Sequence, residues 1–152
     1  MTRRIVITGV GAVSALGLGR EATWDGLRSG RSGIAPIAAG TVASFSNVAE
    51  VKDFVPADHL SREDQMLDRT AQFALLAAQE AMTDAGLELN DAQKIRSAVV
   101  TGCACGGKQT EDAAYEKLYR QGKKRNHPLT VPKIMANAGA GRISLEFGLQ
   151  GP

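Results

Sequence analysis

The feature that most constrains the fold is an alanine-rich helical pattern over residues 68–85, which Gly86 closes. Its apolar residues cover most of the helix circumference instead of forming one stripe. A helix of this kind is buried on several sides, and alanine side chains let a neighbouring layer approach closely. The pattern therefore predicts an interior helix that packs on a sheet.

The other predicted elements alternate between strand and helix. In chain order they are a buried strand at 3–8, a glycine-punctuated turn at 9–17, a short helix at 21–29, a strand-like alternation at 47–54, a second buried strand at 96–102, an exposed helix at 110–121 and a helix at 132–147. This order is typical of α/β proteins with at least partly parallel strand pairing. We therefore predict an α/β fold, with a mixed sheet and buried alanine-rich helices.

Length and composition fit one globular domain over residues 1–152. Of the 152 residues, 43% are hydrophobic and 22% are charged, which is enough to bury a core and excludes a disordered chain. No stretch approaches the roughly 20 consecutive apolar residues of a membrane-spanning helix, so no membrane association is predicted. The formal net charge of +2 is close to balance and argues against a nucleic-acid partner. The first residues lack the pattern of a secretory signal, which predicts a cytoplasmic protein.

The glycine-punctuated turn after the first predicted strand invites comparison with a dinucleotide-binding fingerprint. Ser14 stands where that fingerprint has its third glycine, and no acidic residue occurs between Asp25 and Glu50 to bind a ribose. The sequence therefore predicts no nucleotide cofactor.

The two cysteines, Cys103 and Cys105, follow the second predicted strand. They are too close for an ordinary disulfide, and no further cysteine or nearby histidine completes a zinc set, so no metal is predicted. One of these thiols could lie near a pocket, but a nucleophilic cysteine needs a base, and no motif places His59 or His127 beside either. The other interpretation is that both residues simply fill a strand end.

Basic residues cluster over 117–125 without an acidic residue among them to oppose them. They are Lys117, Arg120, Lys123, Lys124 and Arg125. Two interpretations stay open, a solvated helix end and loop or a docking patch for an acidic partner.

Several short motifs follow one another along the chain between residue 3 and the last residue. They are Ile5-Val6-Ile7-Thr8-Gly9-Val10-Gly11, Thr23-Trp24-Asp25-Gly26-Leu27, Gly30-Arg31-Ser32-Gly33-Ile34, Asp68-Arg69 with Gln72-Phe73-Ala74, Asp84-Ala85-Gly86-Leu87, Cys105-Gly106-Gly107, Val131-Pro132 with Asn137, Ala140-Gly141-Arg142-Ile143 and Gly148-Leu149-Gln150-Gly151-Pro152. In this order and spacing the chain resembles the N-terminal part of a β-ketoacyl-acyl-carrier-protein synthase of the elongating, synthase II type.

The resemblance implies a thiolase-like fold, of which this chain would be an incomplete N-terminal half, and a homodimer as the usual assembly. Enzymes of this family accept an acyl group on a cysteine, decarboxylate malonyl-carrier protein and condense the two units, without a cofactor. The nucleophilic cysteine, two histidines and a lysine are expected beyond Pro152, so the segment alone is expected to be inactive. The alternative is a non-catalytic partner like a chain-length factor, which keeps the fold, replaces the cysteine and forms a heterodimer with a true synthase.

The resemblance also assigns site residues. Cys105, which precedes the Gly-Gly pair, would line the acyl pocket. Leu129 and Thr130 would come from the neighbouring subunit and close the far end of the pocket, where bulky aromatics are common in synthase II. Their smaller side chains predict room for a longer or stiffer acyl chain, unless neighbouring side chains refill the space.

Acyl carrier protein is the partner that the resemblance implies, and the family binds this acidic protein through basic surface residues. Lys123, Lys124 and Arg125 are the predicted carrier-binding residues. A second basic patch of the family is expected before the long helix, but residues 63–67 carry no lysine or arginine.

Overall fold

A computed structural model describes residues 4–37 and 46–152, and the chain divides into two compact units. The first unit comprises Met1–Val55 with Leu76–Leu87, and the second comprises Pro56–Leu75 with Glu88–Pro152. A long helix, α3 (Arg69–Ala85), contributes its N-terminal part to the second unit and its C-terminal part to the first. The helix predicted at 68–85 is confirmed in its bounds, but only Ala71, Gln72 and Leu75 of it are buried, and the described strands form two-stranded ribbons instead of a sheet that covers it.

Besides the C-terminal part of α3, the first unit contains two short antiparallel ribbons and one helix in its described residues. In chain order, β1 (Val13–Ser14) pairs with β2 (Gly17–Leu18), α1 spans Arg20–Arg28, and β3 (Ile34–Pro36) pairs with β4 (Asn47–Ala49). The helix predicted at 21–29 is therefore confirmed with a shift of one residue. Of the alternating stretch at 47–54, only the first three residues form a strand.

The glycine-rich segment before β1 lies directly against the backbone of α3. A Cβ atom at Gly9 would lie 2.1 Å from the carbonyl oxygen of Ala81, and one at Gly11 would lie 1.9 Å from that of Ala77. No side chain fits at such distances. The glycines are required because two backbones touch.

Two carboxylates of α3 bind backbone amides of the same segment and of the start of α1. Glu80 accepts hydrogen bonds from the N–H groups of Ala12 at 2.9 Å and Arg20 at 2.7 Å. Asp84 accepts one from the N–H of Val10 at 2.9 Å and another from the Arg20 guanidinium. The hydrogen bond from Arg20, followed by that from Val10, holds the pKa of Asp84 below its ordinary value. The segment is thereby fixed on α3 by charge-assisted hydrogen bonds.

Replacing Gly11 by alanine should lower the free energy of unfolding of the full-length protein by about 3 kcal/mol, because the segment and α3 must separate to admit the methyl group. Gly102→Ala is the matched control, since a Cβ there meets nothing within 4 Å. Urea denaturation measures both. Equal unfolding midpoints for the two variants would show that the segment is not held against α3.

The second unit is helical in its described residues. Its elements are α2 (Pro56–His59), a 3-10 turn (Asp64–Met66), the start of α3, α4 (Asp91–Arg96), α5 (Lys108–Tyr115), a π-helical turn (Glu116–Arg120), α6 (Thr130–Ile134) and α7 (Ala138–Phe147). Leu75 of α3 is fully buried, and Leu60, Ala71 and Ile143 are buried in the same unit. Gly139 lets α7 approach α3 closely, since a Cβ there would lie 3.2 Å from the Cβ of Ala74.

Two predicted strands are wrong. Residues 4–8 form no strand, residue 3 lies outside the described residues, and the stretch 96–102 also forms none. The exposed fractions are 94% for Ile5, 87% for Ile7 and 94% for Val100, where burial was predicted. A β-branched run becomes a strand only where a neighbouring strand completes its hydrogen bonds. Over the described ranges the paired strands are the two antiparallel ribbons, and no parallel pair occurs.

Two predicted helices have different bounds. The helix predicted at 110–121 begins at Lys108 and ends in the π-helical turn. The helix predicted at 132–147 is divided into α6 and α7, because Met135 has an extended backbone with ψ of 140°. Within residues 4–37 and 46–152, no helix has the length and hydropathy needed to cross a membrane.

Candidate functional site

The loop at 103–107 carries the first candidate pocket residue. Gly106 turns this loop with a φ of 63°, in the left-handed region that favours glycine, and its N–H donates to the Sγ of Cys103 at 3.2 Å. Cys103 is half-buried and Cys105 is exposed. The turn is therefore closed by the thiol of Cys103, while that of Cys105 faces outward.

The same loop lies flat on the end of α6. A Cβ at Gly106 would lie 2.3 Å from the carbonyl oxygen of Ile134, and one at Gly107 would lie 2.3 Å from that of Lys133. The N–H of Gly107 also donates to Ile134 O at 3.3 Å. The loop and α6 therefore form one backbone-packed body.

A buried carboxylate lies on the other side of the loop. Asp68, 3% exposed, precedes α3 and accepts a hydrogen bond from the N–H of Thr70 at 3.0 Å. Its second oxygen accepts from the N–H of Thr110 at 3.0 Å and from the Thr110 hydroxyl at 2.8 Å. Thr70 in turn places its hydroxyl 3.4 Å from Gly106 O. Asp68 thus joins the start of α3 to the first turn of α5.

Leu129 and Thr130 lie at the start of α6, beside two neighbouring cavities. Leu129, 43% exposed, lines an apolar groove of about 340 Å³. Apolar side chains form most of the groove wall, among them Met66, Leu67, Ala71, Pro132, Met135 and Leu145. Thr130 is half-buried and lines a more polar cavity of about 280 Å³, beside Lys117 and Lys133. Cys105 lines neither cavity, although its loop is packed on the other end of α6.

An ion pair lies at one edge of the apolar groove. Arg142 of α7 donates from Nε and Nη2 to the two carboxylate oxygens of Asp64, the second contact measuring 3.0 Å. The hydrogen bond from Arg142 is the main cause that lowers the pKa of Asp64, and the Ser61 hydroxyl at 2.6 Å lowers it further against the effect of burial. The pair fixes α7 to the 3-10 turn and so shapes the groove.

The basic loop at 123–125 is exposed throughout. In the described part of the chain, Lys123, Lys124 and Arg125 form no ion pair with a carboxylate. Gly122 has a φ of 63°, and the N–H of Lys123 donates to Lys117 O at 3.0 Å, which closes the preceding turn.

Sequence reasoning missed the two buried carboxylates, Asp64 and Asp68. A signal existed for Asp68, since an aspartate directly before a strong helix is typical of an N-cap. The distant partners, Thr110 and Arg142, carry no local signal. Over the described ranges, no group of three or more histidine, cysteine, aspartate or glutamate side chains could hold a metal ion.

Comparison with known proteins gives the family. Residues 2–152 match the family model described as "Beta-ketoacyl synthase, N-terminal domain". Among curated relatives, 3-oxoacyl-[acyl-carrier-protein] synthase 2 of Coxiella burnetii (strain RSA 493 / Nine Mile phase I) is 36% identical over 153 residues, which cover 99% of this chain and 37% of the relative. Nodulation protein E of Rhizobium sp. (strain N33) is 35% identical over 154 residues, which cover 100% of this chain and 38% of the relative.

A solved structure agrees with this result. The structure described as "The ishigamide ketosynthase/chain length factor" is similar with a TM-score of 0.78 and 30% identity, covering 96% of this chain and 38% of that one. The fold is therefore the thiolase-like α/β fold of condensing enzymes, present here as part of its N-terminal half. The chain belongs to the β-ketoacyl synthase family. It spans less than two-fifths of the length of these relatives.

Proposed function

We propose that the full-length protein is a β-ketoacyl-acyl-carrier-protein synthase that elongates acyl chains in fatty acid or polyketide-type synthesis. The observation that carries this proposal is the match of residues 2–152 to the ketoacyl synthase N-terminal domain. Relatives named 3-oxoacyl-[acyl-carrier-protein] synthase 2 match 98–99% of the chain, which supports the same activity.

The proposed reaction has two steps. A cysteine thiolate expected beyond Pro152 attacks the carbonyl of an acyl thioester, and the carrier leaves as its thiol after taking up a proton. Malonyl-carrier protein then loses CO₂, and the resulting carbanion attacks the enzyme thioester. A carbon–carbon bond forms, the carbon–sulfur bond breaks and the cysteine thiolate is regenerated. The expected histidines and lysine would serve this step, so residues 1–152 alone should be inactive.

In this proposal the described residues bind and select the acyl chain. Cys105 would line the acyl pocket, and Leu129 and Thr130 would close its far end across a dimer interface. The apolar groove beside Leu129 and the small side chain of Thr130 support room for a long chain.

The proposed partners are acyl carrier protein and a second synthase subunit, identical or related. The relatives named for acyl-carrier-protein substrates support the first. A cytoplasmic location is proposed because Cys103 and Cys105 are both free thiols, as is usual in a reducing compartment.

Replacing Lys123, Lys124 and Arg125 together by serine should weaken acyl transfer from acyl carrier protein, most strongly at low ionic strength. Each exposed pair contributes only about 0.2–1 kcal/mol, but the three cations together would steer an acidic partner and raise its association rate. The measurement is the transfer rate at two salt concentrations. A small acyl thioester, which has no acidic surface, is the control donor and should react as before. If both donors slow equally, the cations serve folding or subunit packing. If the rate with neither donor falls, residues 123–125 form a solvated loop without a binding role.

The alternative function is a non-catalytic partner like a chain-length factor. The similarity to the structure described as "The ishigamide ketosynthase/chain length factor" supports this second candidate. The intact mass of the full-length protein after incubation with an acyl thioester distinguishes the two. An increase by one acyl group, removed by hydroxylamine, supports the synthase, whereas an unchanged mass supports the partner.

A further inference from the structure

Both carboxylate oxygens of Asp68 accept hydrogen bonds, one from the neighbouring Thr70 and the other from Thr110, which lies 42 positions away. Asp68 is 3% exposed, one oxygen accepts from Thr70 N, and the other accepts both from the N–H and from the hydroxyl of Thr110. A carboxylate accepts hydrogen bonds strongly because it is charged, and a buried one holds its donors firmly. Asp68 therefore fixes the first turn of α5, which directly follows the loop at 103–107.

The loop has no room to move toward either neighbour. A Cβ at Gly107 would lie 2.9 Å from the Cγ of Asp68 and 2.3 Å from the carbonyl oxygen of Lys133. The loop is therefore held between the carboxylate on one side and the carbonyls of α6 on the other. Cys105 precedes the two clamped glycines, and Thr130 is the first residue of α6.

We propose that Asp68 is a positioning residue that holds the loop at 103–107 against α6 and thereby sets the acyl-chain selectivity of the pocket. The inference rests on the proposed function, in which Cys105 and Thr130 are pocket residues. Asp68 borders both cavities at the start of α6. It acts through Thr110 and Gly107, so that Cys105 and α6 keep one fixed separation.

We call the contacts of Asp68 with Thr110 and Gly107 the clamp. A matched pair of variants at Thr110 tests it. Thr110→Val keeps the size of the side chain and removes the hydroxyl donor, whereas Thr110→Ser keeps the hydroxyl. Asp68→Asn replaces one of the two accepting oxygens by an NH₂ group, so that either Thr70 or Thr110 loses its acceptor. We expect Thr110→Val and Asp68→Asn to loosen the loop, and Thr110→Ser to behave as the unchanged protein.

The first readout is independent of activity. Iodoacetamide alkylation of Cys103 and Cys105 in the full-length protein is followed by tandem mass spectrometry of the tryptic peptide 97–108, which contains both. Because the Cys103 thiol accepts from Gly106 N–H only while the loop is closed, its alkylation relative to Cys105 should rise about tenfold in Thr110→Val and Asp68→Asn. An unchanged ratio would overturn the clamp.

The second readout is chain-length selectivity, measured as kcat/KM for acyl-coenzyme A donors of increasing length. In an apolar pocket, acyl chains that differ by one methylene differ in kcat/KM by about 10-fold or more. A loosened loop should reduce this ratio to about threefold, whereas Thr110→Ser should retain it. Raised Cys103 alkylation with unchanged selectivity would overturn the positioning role. If the protein without substitutions accepts no acyl donor, the proposed function is overturned. The alkylation ratio still decides whether the clamp exists.

Discussion

Replacing Arg142 by methionine should lower the free energy of unfolding of the full-length protein by about 3–5 kcal/mol, because it leaves a buried carboxylate without its cation. Asp64 is 3% exposed and receives two hydrogen bonds from Arg142. Methionine fills much of the same volume, so the loss would come mainly from the unpaired charge. Urea denaturation, with both the midpoint and the slope recorded, measures the effect.

The exposed ion pair between Arg28 and Asp25 provides the control. Its two side chains are 71% and 65% exposed, and their atoms are 3.0 Å apart. Arg28→Met should therefore change the free energy of unfolding by no more than about 1 kcal/mol. Similar losses in the two variants would mean that Asp64 is hydrated or finds another donor.

The pH dependence of the same variant has a defined sign. Arg142 holds the folded-state pKa of Asp64 below the unfolded value of about 3.9, so the stabilisation by the pair is complete above about pH 4 and is lost as the pH falls through the folded-state pKa. In Arg142→Met, burial without a cation should raise that pKa, and protonation then relieves the penalty. The stability difference between the two proteins should shrink from pH 7 to pH 4. A constant difference over this range would assign the loss to packing.

Thr130→Phe should shorten the acyl chain that the protein accepts. The aromatic ring would fill part of the space that the threonine side chain leaves at the start of α6. Loading of long acyl donors should fall by about 10-fold or more, since each displaced methylene costs about 1–3 kcal/mol, while short donors should load as before. The measurement is the loading rate across a series of acyl-coenzyme A donors.

Val131→Phe is the control for this prediction. Val131 is the next residue, is 62% exposed and lines neither of the two cavities. The added ring there should leave chain-length selectivity unchanged. If Thr130→Phe also leaves it unchanged, residue 130 lies away from the acyl chain, or neighbouring side chains move to restore the space.

The long helix could be predicted from the sequence because its pattern is local. Alanine-rich periodicity and a closing glycine define α3 without reference to distant residues. The apolar runs at residues 4–8 and 96–102 are also local, but a strand depends on a partner that the run does not encode.

The candidate site could be predicted only in part. Leu129, Thr130 and the basic loop follow from a family resemblance, and their roles remain predictions. The clamp by Asp68 and the ion pair of Asp64 depend on donors 42 and 78 positions away, so no local pattern reveals them. Gly9 and Gly11 resemble part of a dinucleotide-binding fingerprint, but they lie against the backbone of α3. Both situations require glycine, because a backbone close to a phosphate and a backbone close to a helix leave no room for a side chain.

Condensation itself tests the central claim most directly. The full-length protein is incubated with an acyl-carrier protein and malonyl-carrier protein, and the carrier-bound products and CO₂ are quantified by mass spectrometry. The proposed function predicts one β-ketoacyl-carrier, longer than the acyl donor by two carbons, for each CO₂ released. Malonyl-carrier protein that remains intact with both short and long acyl donors would contradict it.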